Sequence, residues 1–170
     1  MNLGLASALL CLAPLAATAQ DLVIPPVTIP KLPATAASVN GFVPPGWKLT
    51  CQVTGDLNAD GKADVLFILL DTDPKNIINT PDVSGFDTNP RILAAAFANA
   101  SSPGYTLAFQ NAKFIARSTD PDNFASAQRT PDCDDTPLSI AHGAFSIEFP
   151  TPNQRNVAPT PSALSTPASS

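Results

Sequence analysis

GDLNADGKADVLFILL, residues 55–70, decides the reading of this chain. Its first half sets side-chain oxygens at alternate positions, Asp56, Asn58 and Asp60, then a glycine, Gly61, and then Asp64. Its second half, residues 65–70, is an unbroken apolar run rich in β-branched and large residues, which reads as a buried strand. Calcium takes about six to eight oxygens at roughly 2.3–2.6 Å. A short loop supplies them only if alternate side chains converge while the backbone turns sharply. Asp56, Asn58 and Asp60 are the converging oxygens, and Gly61 permits the positive φ that a residue with a Cβ resists. Lys62 offers its backbone carbonyl, because its ammonium group has no acceptor, and Asp64 closes the cage. The expected metal ligands are therefore Asp56, Asn58, Asp60, Lys62 and Asp64, and the expected cofactor is Ca2+. The competing reading is an Asp/Asn/Gly turn before a strand, since these residues also build ordinary turns.

The loop departs from a full EF-hand. That motif ends on a bidentate Glu at its twelfth position, and here the twelfth residue is Phe67. A strand rather than a helix follows it. In this form the stretch resembles the core of FG-GAP/VCBS-type repeats, the calcium-loop-plus-strand units of bacterial β-propellers and integrin α chains. The flanking pieces FVPPGWK (residues 42–48), NPRIL (residues 89–93) and the strand pair in residues 140–149 are similar to those of a bacterial secreted group carrying this repeat. The resemblance covers roughly residues 40–149, with the calcium loop its specific motif. It implies an extracytoplasmic, calcium-stabilised β domain without an established catalytic activity. Members of the group continue with further strands after the region matching Phe149. This chain turns there into a Pro/Thr/Ser/Ala tail, so a C-terminally shortened member is expected.

Composition bounds the rest. The chain has 170 residues, a formal net charge of -5 and a pI near 4.5. Its acids are Asp except for Glu148. The Lys and Arg residues stand singly, which argues against nucleic acid, a partner that needs clustered cations on its phosphates. Nineteen prolines argue against a helical protein. Residues 1–20 read as a signal peptide: an apolar stretch over residues 3–17 precedes Ala17-x-Ala19, a small-residue cleavage pattern. The stretch is short for a spanning helix, which needs about 20 apolar residues. No Lys or Arg follows Met1, a departure from the usual leader. Export implies a periplasmic or secreted location, with no membrane attachment after cleavage. Without Cys11 the mature chain keeps Cys51 and Cys133, an even pair that suggests a disulfide. Two distant Cys and a single His lack the spacing of a zinc site.

Along the chain, residues 21–39 form a Pro-rich extended linker or an edge-packing arm, since proline removes ladder donors. Trp47 opens a first strand and is expected as a core anchor rather than a ligand-stacking platform. The second strand follows the calcium loop, and a polar loop, residues 72–89, follows that strand. A third strand covers residues 91–99 and a fourth residues 105–110, with Phe114 and Ile115 continuing the hairpin arrangement. A second Asp/Pro-rich loop covers residues 117–137. A closing hairpin turns at His142-Gly143. The fold class expected is all-β with mainly antiparallel strands, a propeller-blade-like sheet with long Asp/Pro-rich loops. A closed propeller needs four or more blades, and a single calcium loop without a fixed-period repeat excludes it. The organisation expected is signal peptide 1–20, linker 21–39, calcium-loop β domain 40–149 and disordered Pro/Ser/Thr tail 150–170.

Other constellations carry less. Asp120-x-Asp122-Asn123 and Asp132-x-Asp134-Asp135 read as solvated loop acids before they read as a second cation site. His142 lies near Ser139 and Ser146, but no nucleophile elbow accompanies them. The functional expectation is an exported, noncatalytic calcium-binding β domain, a structural or interaction module with a protein or glycan partner. The alternative is an exported hydrolase using Asp residues and His142.

Overall fold

The structure, a computed structural model, describes residues 22–81, 84–119 and 138–148. The signal segment, the tail, Cys133 and both Asp clusters of residues 117–137 lie outside the described residues. Nine strands are described: β1 (Thr35–Ala36), β2 (Trp47–Gly55), β3 (Asp64–Asp71), β4 (Ile77–Ile78), β5 (Phe86–Asp87), β6 (Arg91–Ala98), β7 (Tyr105–Asn111), β8 (Leu138–Ala141) and β9 (Ala144–Ile147). The described residues are all-β, broken only by short 3-10 turns at Val39–Phe42 and Pro74–Asn76. None of their helices is long and apolar enough to cross a membrane.

The main sheet has five strands in the order β1-β7-β6-β3-β2. Its four long strands form an up-and-down antiparallel meander, and β4–β5 and β8–β9 are separate two-stranded ribbons. β3 sits inside this order, and every one of its eight residues is buried. Side chains of a strand alternate between faces, so a strand apolar at every position requires cover on both. On one face Val65, Phe67 and Leu69 pack with Phe42, Leu32, Ile92, Ala94 and Ala96. On the other, Leu66 and Ile68 pack with Cys51, Leu93, Ala95, Ile115 and Leu138. Phe42 stacks on Phe67 with ring centroids 5.6 Å apart. In the first half of β3 the large side chains are paired in register with small ones on β6, Phe67 with Ala94, Leu66 with Ala95 and Val65 with Ala96. Small neighbours leave the space into which the covering layers settle.

The two covers come from the ends of the described chain. Residues 22–34 run as an extended arm over the Phe67 face, and β1 pairs antiparallel with the outer edge of β7. Gln110 pins the arm twice: its Oε1 accepts from the Leu32 N–H at 2.7 Å and its Nε2 donates to the Pro30 carbonyl at 3.0 Å. Leu107 N–H donates to the Ala34 carbonyl. Gly104, at φ 109°, makes this approach possible, because a Cβ there would lie 2.7 Å from the Ala36 carbonyl oxygen. The β8–β9 ribbon covers the opposite face, with Phe145 stacked on Phe109 at 5.8 Å. Its turn has positive φ at both His142 (53°) and Gly143 (73°), the signature of the tightest hairpin turns. Phe114 and Ile115 do not extend a strand; Ile115 is buried in the ribbon-side core.

Two β-bulges adjust which residues meet which cover. Leu49 opposes Leu69 while Cys51 opposes Ile68, so Thr50 is an extra residue in β2. Trp47 and Leu49 therefore face the arm, whereas Cys51 and Val53 face the ribbon. The same happens in β7, where Leu107 opposes Ala96 and Phe109 opposes Ala95, leaving Ala108 extra. Tyr105 and Leu107 turn to the arm and Phe109 turns to the ribbon. An extra residue inverts the facing of everything beyond it.

Candidate functional site

The loop between β2 and β3 is wound by its own Asx side chains. Asp56 accepts from the Asp60 N–H at 3.2 Å and, through Oδ2, from the Gly61 N–H at 2.9 Å. Asn58 Oδ1 accepts from the same Asp60 N–H at 3.0 Å. Asp60 Oδ1 accepts from the Lys62 N–H at 2.9 Å, and its Oδ2 lies 3.3 Å from Asn58 Nδ2. These nested turns need the left-handed region twice, at Ala59 (φ 60°) and Gly61 (φ 80°). Alternate spacing is what makes this winding work, because a short Asx side chain reaches a backbone N–H two residues on.

Asp60 is exposed, and its carboxyl is held below the ordinary carboxylate range by the Lys62 backbone N–H. Desolvation works against this, and Asn58 and the Lys62 charge add to the lowering. Lys62 Nζ lies 3.7 Å from Asp60 Oδ2. In this arrangement the lysine ammonium is the cation nearest the loop's acids among the described ion pairs.

Asp64 is employed differently. It is fully buried, with one carboxylate oxygen accepting from the Leu57 N–H at 2.9 Å and the other from the Ala98 N–H at 2.8 Å. It clasps the loop to the end of β6. Among the described residues, no group of three or more Asp, Glu, His or Cys side chains is gathered so as to hold a metal ion. Asp56, Asn58 and Asp60 share one turn system, while Asp64 points into the clasp. The donor set nevertheless fits a hard cation: each carboxylate oxygen already bonded to an N–H keeps a second lone pair, and the backbone is wound before any ion arrives.

Cys51 is buried against Leu66 and Ile68 on the ribbon side. Its expected pairing with Cys133 lies outside the described residues. His142 is exposed in its turn, and Ser139 Oγ and Ser146 Oγ bond to each other across the ribbon at 2.6 Å.

A second polar assembly lies at the opposite end of β3 and is not evident from the sequence. Arg117 reaches across it, donating to the carbonyls of Thr88 and Pro25, to Thr88 Oγ1 at 3.0 Å and to Asn76 Oδ1 at 3.1 Å. Asn76 donates through Nδ2 to Asp71 Oδ2 at 3.1 Å and to Asn89 Oδ1 at 2.9 Å. Asp87 in turn accepts from both the backbone and side-chain amides of Asn89. Burial pushes the Arg117 guanidinium pKa down, and the carboxylates of Asp71 and Asp87 oppose that shift. Arg91 is buried with its Nε unpartnered; desolvation lowers its pKa and Asp87 works against it. The sequence signal for this assembly was weak. Asn76, Asp87 and Asn89 read as loop residues, and nothing local ties them to an arginine 28 or more positions away.

Comparison of the chain with protein-family models, with curated proteins and with solved structures gives no match in any of the three.

Proposed function

We propose that this chain is an exported, noncatalytic, calcium-binding β domain that serves as a structural or interaction module. The observation carrying the reading is the nested turn system in which Asp56, Asn58 and Asp60 already wind the loop. Asp56, Asn58, Asp60 and the Lys62 carbonyl would hold the ion, and Asp64 supports the loop from beneath. A bound calcium would supply fixed positive charge among the clustered carboxylates and so couple metal binding to folding. The up-and-down meander also suits the FG-GAP/VCBS resemblance, since a propeller blade is such a four-stranded sheet. A disulfide between Cys51 and Cys133 belongs to the same exported reading.

The test is a thermal melt of the mature chain with calcium, with magnesium and with EGTA. At a calcium concentration about a hundred times Kd, the stabilisation is about 2.7 kcal/mol. A midpoint that rises with calcium and is insensitive to magnesium supports the site. Asp60→Ala removes that rise while leaving the EGTA midpoint near that of the unaltered chain. A cooperative melt indifferent to all three conditions makes the loop an ordinary turn.

A further inference from the structure

We propose that the cleft beside Trp47 binds a neutral saccharide ring. The cleft has a volume of about 450 Å³, inside the roughly 300–1,000 Å³ range of small-molecule sites. It lies between the arm and the C-terminal end of β3. Pro25 and Thr28 line one wall, and Trp47, Asp71, Asp73 and Lys75 line the other. Trp47 faces Asp71 across the β2–β3 pairing and is half-buried, packed against the arm-side core while also bordering the cleft.

Three features select the ligand class. The first is the pairing of an indole surface with polar groups, which suits a molecule carrying both an apolar face and hydroxyls. The C–H face of a pyranose meets that description. The second is charge. Asp71 and Asp73 border the cleft beside Lys75. Carboxylate and ammonium thus face the same space, so a simple anion or cation meets a like charge there, whereas a neutral polar ligand does not. The third is the mixture of hydrogen-bonding partners. Asp73 commits Oδ1 to the Lys75 N–H, leaving a carboxylate oxygen to accept, while the Lys75 ammonium has only donors. A hydroxyl both donates and accepts, so vicinal hydroxyls satisfy the two together.

The site is also pre-formed. Asp71 accepts from the Asp73 N–H at 3.2 Å and from Asn76 Nδ2 at 3.1 Å. Arg117 holds the arm by donating to the Pro25 carbonyl at 2.6 Å. Ligand binding therefore meets a wall that is already ordered, which lowers its entropic cost. This inference rests on the interaction-module part of the reading above and deepens it by naming the ligand class. It does not involve the calcium loop, which lies at the other end of β3, about 23 Å away at the rise of a strand.

Trp47 is the only tryptophan in the chain, so the emission comes from a side chain that borders this cleft. The mature protein is titrated with glucose, galactose, mannose, N-acetylglucosamine and their short oligomers, in calcium and in EGTA. A saturable emission change with at least one sugar is expected. Asp73→Asn, which keeps the turn-capping oxygen, and Lys75→Met should each weaken it roughly tenfold or more, with unchanged melting. The inference is overturned if no sugar gives a saturable response, or if neither substitution alters it. It is also overturned if tetramethylammonium or inorganic phosphate binds more tightly than every sugar. A calcium melt that succeeds while the sugar titration fails removes this inference and leaves the calcium reading standing; the reverse result removes only the calcium reading.

Discussion

Removing the Asp64 carboxylate separates structural from metal-dependent stability in the β2–β3 loop. In Asp64→Ala two backbone donors, Leu57 N–H and Ala98 N–H, lose their acceptor. An orphaned buried donor costs about 1–3 kcal/mol. Leu57 and Ala98 are both half-buried, so each N–H regains part of its loss from water. About 3 kcal/mol is the expected total, a large share of the ~5–15 kcal/mol that holds a domain together. For a domain of about 100 residues that is a fall in Tm of roughly 12–24 °C. The assay is a melt followed by far-UV circular dichroism, in calcium and in EGTA. The expected fall is equally large in both, because the clasp exists without an ion. Asp60→Ala, by contrast, should cost far more in calcium than in EGTA. If Asp64→Ala is near neutral in EGTA and destabilises only in calcium, its carboxylate is a ligand rather than a clasp, and this reasoning is refuted.

Deleting Thr50 removes the β2 bulge and forces one half of the strand to turn its apolar side chains to the wrong face. Burying fewer large side chains at about 1.5–3 kcal/mol each should abolish the cooperative melt. Thr50→Ala keeps the bulge, loses only the hydroxyl bond to the Ile68 carbonyl, and should cost about 1 kcal/mol. Arg117→Ala frees the Pro25 carbonyl, so limited proteolysis should cut the arm ahead of Leu32 faster than in the parent. Arg117→Lys should fail to restore protection, since an ammonium lacks the planar fork; equal cutting rates in all three proteins would count against the strap role. Asp60 has a folded-state pKa below its ordinary value of 3.8. Its contribution to stability is therefore present above 3.8 and lost as pH falls through the lower folded value. Carboxyl NMR should show Asp60 titrating below that value in the parent and moving up toward it when Lys62 is replaced by Pro, which lacks the N–H.

Much of the architecture was legible without coordinates. The continuous apolar run of residues 65–70 reads as a strand shielded from water, and the Asx-x-Asx-x-Asx-Gly spacing suits a tight turn wound by its own side chains. The hairpin at His142-Gly143 was equally local, since two adjacent positive φ values favour glycine at one of them. These features depend on neighbours within a few residues, which is the range over which sequence acts directly. The arm was only half legible. Its prolines ruled out a central strand, but whether it hung free or lay on the sheet depended on Gln110 and Arg117, which are remote in sequence.

What the sequence determined, then, was the long strands, the closing hairpin and the wound acidic loop, because backbone sterics, Asx turns and hydrophobic patterning are local; β1 and the β4–β5 ribbon, which falls inside the expected polar loop of residues 72–89, were not read from it. Tertiary structure alone decided the facing of β2 and β7. Trp47, Leu49, Cys51 and Val53 alternate as if for a single apolar face, as do Tyr105, Leu107 and Phe109. The Thr50 and Ala108 bulges divide each set between two cores. Tertiary structure also turned Asp64 from the loop into a clasp with Ala98, and it gathered Asp71, Asn76, Asp87, Asn89 and Arg117 into one polar assembly. The physical reason is common to all three: a buried polar or apolar group must find its partner wherever the packed sheets put one, and that partner often lies well outside the local stretch of chain, as Ala98 does for Asp64 and Arg117 for Asn76.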